Sequence, residues 1–410
     1  MVIRWLVASI TLITCLAGLA SWPSDRVPLR LQTRHQWLLR SFAERRWMLR
    51  VAFWFTATVT TGAWGLVIEE ALPKEGDDAS GTAGRVAFVT ASTVALGLTV
   101  VARDRVQQRF GTLFYVVGLG AAMNDYHGEH LKQSRRLYDR FQTVQVDRSR
   151  GKDPVDATAE AARELDALMN VDAPNTGFDV APVMLWDLSM AVGSQSQLSH
   201  VTGLIELDDA PVPWLVDPRT RGRSGRPPTV RRVETAGHGP SVTAFAVAVM
   251  IHLTAENQPS LPSNWRLGDV VKVGFFDGDR GDRAKKVRVQ FGLSLGREVV
   301  DPLTAVDTVV QEITNAIHCN PGQPVLVFAR LPKTIAFAVG DAFTRRELPL
   351  CGLKGTCRNE GCRQPWKQLW PMRIRQSFPL PPEDWTEYDA VRVHREQSEV
   401  SVLDPYRNGT

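Results

Sequence analysis

Cysteine is scarce in this sequence of 410 residues, and the five cysteines are unevenly spaced. One of them, Cys15, lies in an apolar run near the N-terminus, and the other four come after residue 318. A domain held together by disulfides carries an even, spaced set of cysteines, which is not found here. The composition therefore favours a reduced, cytoplasmic setting for the larger part of the chain.

A close Cys-x-x-Cys pair is also missing. Cys351, Cys357 and Cys362 are separated by six and five positions, and Cys319 follows a histidine. Structural zinc takes four sulfur or nitrogen ligands, which usually include one such close pair. We therefore interpret the late cysteines as free thiols, keep Cys351, Cys357 and Cys362 as weak zinc candidates, and expect no cofactor.

Catalytic signatures are missing as well. The sequence has no nucleophile elbow, no His-Glu-x-x-His and no Gly-x-x-x-x-Gly-Lys-Ser, so the patterns of hydrolases, zinc proteases and phosphate-binding loops are absent. We therefore expect that the chain is not an enzyme. Its 48 basic and 44 acidic residues give a net charge of +4, and so small an excess does not by itself indicate nucleic-acid binding.

Three long apolar runs are present, all within residues 1–103. They cover about 3–21, 51–68 and 86–102, which is near the ~20 residues that a helix needs to cross a bilayer. Seven arginines lie between the first two runs, whereas five acidic and two basic residues lie between the second and third. Arginine-rich loops stay in the cytoplasm. The pattern predicts a multi-pass transmembrane region at 1–103 and a cytoplasmic C-terminal part.

Two features of these runs have more than one interpretation. The first run also fits a cleaved signal peptide or a peripheral helix. The second and third runs are rich in hydroxyl groups, which either hold closely packed helices together or line a polar leak once the helices oligomerise. These side chains belong to Thr56, Thr58, Thr60, Thr61, Thr90, Ser92, Thr93 and Thr99.

From residue 104 the pattern changes to short apolar strands that alternate with helices. A β-rich segment covers 112–120, residues 128–144 have helical spacing, and helices that begin with proline are predicted near 154–170 and 181–193. A second set of strands and helices follows from residue 241 and includes a helix that begins at Pro302. This alternation predicts a doubly wound α/β fold.

We divide this α/β part, 104–376, into halves at about 110–210 and 241–376, and a tail follows at 377–410. The interval 211–240 is rich in proline, glycine and arginine, so it is predicted to be a mobile basic loop, either a solvated linker or a flap over an anionic ligand. The halves share a short motif, LSMAVG at 188–193 and IAFAVG at 335–340. This weak repeat indicates a duplicated α/β unit.

The second copy of this motif belongs to a helix that directly follows an apolar strand and begins with a proline and a lysine. A helix N-terminus binds anions through its unpaired N–H groups and its dipole, and ligands of open α/β sheets lie beyond the strand carboxyl ends. The candidate ligand-binding residues are Gly118, Gly120, Asn124, Gly193, Ser194, Arg330, Pro332, Lys333 and Thr334. A plain strand-to-helix crossover with solvated cations is the alternative.

Three segments, FYVVGLG at 114–120, AVAVMIHLTAE at 246–256 and VLVFARLPKTIAFAVGDAF at 325–343, resemble the SAVED family. The resemblance covers about 110–376. It implies that the cytoplasmic α/β domain is made of two fused CARF-like, Rossmann-type halves that sense a cyclic oligonucleotide. With the apolar runs, the predicted fold is N-terminal transmembrane α-helices followed by this domain. Residues 351–362, the arginine-rich loop and the tail depart from the family pattern, so the resemblance leaves the pocket residues open.

The SAVED family works in bacterial CBASS antiphage systems, which implies an inner-membrane location here and a cognate cGAS-like nucleotidyltransferase as the source of the ligand. We therefore predict a membrane-anchored antiphage effector. Binding of a cyclic oligonucleotide would drive homo-oligomerisation, and the transmembrane helices would then disrupt the lipid bilayer in abortive infection. The alternatives are a membrane-bound nucleotide hydrolase and a membrane tether that scaffolds a protein partner.

Overall fold

The chain is described from a computed structural model. Its packing divides it into two compact units, which we describe separately. Unit 1 combines Met1–Leu113, Lys132–Phe141 and Ala173–Phe178, and unit 2 combines Phe114–Leu131, Gln142–Asp172 and Asp179–Thr410. The residues that the structure describes are 38–39, 41–71, 80–118, 132, 135–147, 153–172, 176–196, 201–205, 229–233, 246–252, 267–274, 302–345, 364–374 and 388–397.

Unit 1 contains a helical hairpin, formed by α1 (Arg46–Ala71) and α2 (Ser80–Arg109). The two helices are antiparallel, because Thr60 of α1 meets Ser92 of α2 while the earlier Phe53 meets the later Arg103. Many large apolar side chains of the hairpin are exposed. They are Trp47, Val51, Trp54, Phe55, Trp64, Leu66 and Ile68 of α1, and Val86, Phe88, Val94, Val100 and Val101 of α2.

Among the described residues, one helical segment, Arg85–Arg109 of α2, is long and apolar enough to cross a membrane by length and composition. It contains the third predicted span, 86–102. The second predicted span, 51–68, lies within α1, and the first, 3–21, lies outside the described residues. All three spans stay predictions, because length and composition alone do not establish that a helix crosses a membrane.

The hydroxyl groups of the hairpin mostly bond to their own helix. Thr58, Thr61 and Thr90 each donate to the carbonyl oxygen four residues earlier, at 2.8 to 2.9 Å. Thr60 is different, since its hydroxyl donates across the hairpin to the carbonyl oxygen of Ser92 at 3.0 Å. This contact agrees with the interpretation that hydroxyl groups join closely packed helices.

The first sheet contains β1 (Thr112–Val117), β2 (Arg140–Gln145), β3 (Phe178–Val183) and β4 (Val201–Leu204), in the order β2-β1-β3-β4. The N–H groups of Thr112 and Gly118 donate to the carbonyl oxygens of Gly177 and Val183. These partners are six residues apart on both segments, so β1 and β3 are parallel. Every residue of β1 and β3 is buried, as is usual for the central strands of a parallel sheet.

The second sheet contains six strands in the order β10-β9-β8-β6-β7-β5. The inner pairs β6–β7, β6–β8 and β8–β9 are parallel, while β5 and β10 add antiparallel edges. The strands are β5 (Thr229–Val233), β6 (Ala246–His252), β7 (Leu267–Gly274), β8 (Val325–Arg330), β9 (Leu369–Ile374) and β10 (Tyr388–Ala390).

Four helices of unit 2 show that the sequence repeat reflects a structural one. They are α3 (Pro154–Val171), α4 (Trp186–Gln195), α5 (Pro302–Cys319) and α6 (Lys333–Arg345). Both α3 and α5 have 18 residues and begin with proline. The β8–α6 unit starts 147 residues after the β3–α4 unit, at the strand (178 to 325) and again at the helix (186 to 333). The strand order β2-β1-β3-β4 is likewise repeated as β7-β6-β8-β9.

Three predicted elements differ from the structure. The helix predicted over 181–193, with Pro182 in its first turn, is wrong at its start, because the fully buried segment 178–183 is β3 and α4 begins at Trp186. The helical prediction over 128–144 fails at Arg140–Gln145, which is β2. Part of the predicted loop 211–240 is also a strand, since β5 pairs with β7 from Thr229↔Gly274 to Val233↔Val270.

A turn after β10 is held against β9 by polar and aromatic contacts. The Gln397 amide oxygen accepts from the N–H groups of Val393 and His394 at 2.6 and 2.8 Å, and its amide nitrogen donates to the Leu369 carbonyl at 2.5 Å. The imidazole of His394 stacks on Trp366, with ring centroids 5.0 Å apart. The N–H of Glu396 points at His394 Nδ1 across 3.4 Å, so the neutral imidazole fits this turn.

We expect this histidine to make the protein less stable in mild acid. Burial lowers the pKa of His394 below its ordinary value of 6.5, and the nearby Glu396 and Arg395 act in opposite directions. The unfolded chain therefore takes up the proton first as pH falls. The contribution to stability is complete above pH 6.5 and is lost as pH decreases from there through the lowered pKa. Thermal unfolding from pH 7.5 to 5 should show a smaller loss of Tm for His394→Phe than for the wild type, and equal losses would contradict the assignment.

Candidate functional site

Helices α4 and α6 approach each other closely through two glycines. A Cβ on Gly193 would collide with the carbonyl oxygen of Phe337, and a Cβ on Gly340 would collide with the carbonyl oxygen of Met190. The contact is reciprocal, because each glycine meets the residue that lies three positions before the other glycine. The glycines are the last residues of the LSMAVG and IAFAVG motifs. The repeated motif therefore forms the contact between the two duplicated halves, and both copies of it lie in unit 2.

The two helices run in the same direction, and their N-termini lie side by side. The hydroxyl of Ser189 donates to the carbonyl oxygen of Lys333 at 2.6 Å, and one turn later Gly193 meets Phe337. Both helices start within three residues of a strand end, at Val183 of β3 and at Arg330 of β8. Two helix dipoles therefore present their positive ends at one place, beyond the carboxyl ends of parallel strands.

Neither N-terminus is capped by the residue that precedes it. A helix N-terminus is usually satisfied by a side-chain oxygen at the cap position, and Asp153 does this for α3 by accepting from the N–H of Val155 at 2.9 Å. The residues before α4 and α6 are Leu185 and Pro332, whose side chains carry no oxygen. An anionic ligand could supply the acceptors that these two residues lack.

The β8–α6 turn brings four predicted site residues together. Arg330 ends β8 with its backbone opposite His252 of β6, and Pro332 follows, half-buried, with its carbonyl accepting from Ala336 N–H at 3.0 Å. Lys333 is half-buried at the first position of α6, and Thr334 is fully buried. Lys333 therefore places a cation at the start of α6.

The other predicted site residues lie elsewhere or outside the described part. Gly193 and Ser194 lie two turns into α4 at the helix interface, where the Ser194 hydroxyl donates to Ala191 O at 2.7 Å. Gly118 is buried at the end of β1, and a Cβ there would come within 2.8 Å of the Met184 Cβ. The structure thus gives Gly118 a packing role. Outside the described residues lie Gly120, Asn124, Cys351, Cys357 and Cys362.

A buried ion pair beside the N-terminus of α4 was not predicted from the sequence. Asp187 is fully buried in the first turn of α4, and the guanidinium of Arg373 in β9 donates to its Oδ2 through Nε at 2.9 Å and through a second nitrogen. The other oxygen, Oδ1, is buried without a hydrogen-bond partner in the part of the chain that the structure describes. The sequence feature that could have drawn attention to Asp187 is its place near a helix start, where acidic residues are favoured.

Metal ligands do not cluster in the described ranges, where no group of three or more His, Cys, Asp or Glu side chains is placed to hold an ion. Cys319, at the end of α5, is an exposed free thiol.

No family model matches the sequence, and no curated protein matches it either. Among solved structures, it is similar to the Acinetobacter baumannii Cap4 SAVED/CARF-domain containing receptor with the cyclic trinucleotide 2'3'3'-cAAA, at 9% identity and a TM-score of 0.38. The same receptor with 3'3'3'-cAAA gives 8% identity and a TM-score of 0.38. The alignments cover 76% and 75% of this chain and 60% of the receptor chain in both cases, so this chain spans less than two thirds of the receptor's length.

Proposed function

We propose that the chain is a membrane-anchored receptor for a cyclic oligonucleotide, and that phosphates of this ligand bind at the paired N-termini of α4 and α6. The observation that carries the proposal is the packing of these helices, which holds their N-termini side by side, each preceded by a residue without a side-chain oxygen. A phosphodiester ring offers several anionic oxygens, and two dipoles with a cation can hold more than one of them.

Lys333 is the residue that we expect to contact the ligand most directly among the described residues. It is the first residue of α6, and its carbonyl is held by Ser189, so its backbone position is set by the neighbouring helix. We assign Arg330 to the same site because it precedes Lys333 by three residues. In this proposal the chain binds its ligand and catalyses no reaction.

The rest of the proposed mechanism couples this site to the membrane. The outward-facing apolar side chains of α1 and α2 support insertion in the bacterial inner membrane, and α2 has the length and composition for it. Ligand made by a cognate cGAS-like nucleotidyltransferase would drive homo-oligomerisation of the cytoplasmic part. Clustering of the hairpins would then disrupt the bilayer and end the infection by killing the cell.

The binding step is tested by thermal unfolding of the full chain in mild detergent with cyclic di-, tri- and tetranucleotides. A ligand at 100 times its Kd should stabilise the protein by ~2.7 kcal/mol. Lys333→Ala should weaken binding by about tenfold, since a charge-assisted contact is lost. Lys367→Ala removes the same charge from an exposed position and should bind as the wild type does. If no cyclic nucleotide shifts the Tm, the receptor proposal is wrong.

A further inference from the structure

A second site lies in unit 1, at the end of the hairpin where α1 begins and α2 ends. A small cleft, partly open to solvent, is lined by side chains of both helices and by Asp139. Three of its lining residues are arginines, Arg46 and Arg50 of α1 and Arg103 of α2, and one is a carboxylate. The cleft is therefore positively charged.

One of the three arginines already has its partners. The guanidinium of Arg46 forms an ion pair with Asp139 at 2.8 Å and donates to the carbonyl oxygens of Phe110 and of Leu137, the latter at 2.7 Å. These contacts use most of its donors and neutralise Asp139. The charge that remains in the cleft belongs to Arg50 and Arg103.

These two arginines retain hydrogen-bond donors for a ligand. Arg50 is 68% exposed, and its nearest carboxylate oxygen within the described residues is that of Asp139 at 4.0 Å. The guanidinium of Arg103 rests on the ring of Phe53, 5.4 Å from its centroid, and donates no hydrogen bond to the described part of the chain. A guanidinium placed on an aromatic ring keeps its edge free and its plane oriented.

The position of the cleft indicates what reaches it. The exposed apolar surface of the hairpin begins beside it, with Trp47 at 64% and Val51 at 58% exposure on α1 and Val100 and Val101 on α2. Where the hairpin enters a bilayer, arginine and tryptophan at its end lie at headgroup level. Two adjacent guanidinium groups at that level match the planar, two-point hydrogen bonding of phosphate oxygens.

We propose that Arg50 and Arg103 bind a phosphate group in this cleft, supplied by the headgroup of an anionic phospholipid. The lipid source rests on the membrane insertion proposed above, whereas the phosphate chemistry follows from the cleft itself. Bound lipid would join the cytoplasmic ends of α1 and α2, next to the Arg46–Asp139 ion pair.

The test uses the full chain in dodecylmaltoside and follows its Tm on addition of phosphatidylglycerol, of zwitterionic phosphatidylcholine, or of inorganic phosphate. Phosphatidylglycerol should raise the Tm by several degrees. Arg50→Gln and Arg103→Gln should each raise the half-maximal lipid concentration about tenfold. Arg105→Gln is the matched control, because it removes the same charge from α2 at a position that does not line the cleft.

The arms separate the two sources of phosphate. A rise in Tm with phosphatidylglycerol alone supports a lipid headgroup. An equal rise with inorganic phosphate supports a soluble phosphate. In both cases the rise must be weaker in the Arg50 and Arg103 variants. The site is refuted if no anion shifts the Tm, or if the shift is unchanged in those variants. Carbonate extraction of cell membranes tests insertion independently, so a chain that washes off the membrane would refute the lipid source and leave the inorganic phosphate arm to decide the site.

Discussion

Gly193→Ala and Gly340→Ala are each expected to lower the free energy of unfolding by about 1–3 kcal/mol, the usual cost of forcing extra atoms into a packed interior. The new methyl group would overlap a backbone carbonyl of the neighbouring helix. A backbone atom cannot rotate away as a side chain can, so α4 and α6 must separate. The loss exceeds the gain of up to about 1 kcal/mol that alanine brings to a helix interior over glycine.

Matched controls for these substitutions exist in the hairpin. Gly62 and Gly97 are helical glycines with no atom within 4 Å of a Cβ, so Gly62→Ala and Gly97→Ala should be neutral or slightly stabilising. Urea unfolding of the full chain in mild detergent, followed by tryptophan fluorescence, measures all four. Either new methyl group would widen the same helix–helix interface. The double variant should therefore lose less free energy of unfolding than the sum of the two single variants. Additive losses, or interface variants as stable as the controls, would show that the helices are not in close contact.

Arg373→Leu is expected to lower the free energy of unfolding by about 3–5 kcal/mol, the range found when one partner of a buried ion pair is removed. Asp187 is fully buried, so it would lose its counter-ion without gaining water. Asp187→Asn should be less harmful, at about 1–3 kcal/mol. It keeps the shape of the side chain, and the Arg373 side chain left behind is 26% exposed, so its charge can be hydrated.

The exposed pair of Arg392 and Asp153 provides the control for this comparison. Their closest atoms are 3.4 Å apart, and the two side chains are 32% and 38% exposed. Arg392→Leu should therefore cost only about 0–1 kcal/mol. The same urea titration compares the variants, and the double variant Asp187→Asn/Arg373→Leu should be less destabilised than the sum of the two. Equal losses for Arg373→Leu and Arg392→Leu would contradict the buried pair.

The elements that could be predicted from the sequence are those with strong local signals. Helix α5 starts at Pro302, as predicted, because proline at the first turn and apolar residues at helical spacing agree. The strand β3 was missed because its Pro182 was taken for a helix start. In the structure the whole strand is buried, and burial depends on the strands beside it, which the local sequence does not show.

The parts of the candidate site that depend on local sequence could also be predicted. The β8–α6 turn is local, so Lys333 and Thr334 were placed at the helix start correctly. The Asp187–Arg373 pair joins residues 186 positions apart, and no local pattern links them. The close packing of Gly118 against Met184 is also a contact between separate segments, and the prediction that Gly118 binds the ligand stays a prediction.

The hydrogen bond from Ser189 to Lys333 has no counterpart on the other side of the helix pair. The position equivalent to Ser189, 147 residues later, is Ala336, which has no hydroxyl to return the bond. In a symmetric homodimer every side chain at a shared site must occur twice. A fused pair escapes that constraint, so the two ends of the proposed ligand would meet different chemical groups, and a ring with unlike nucleotides or an odd number of them would be held in one orientation.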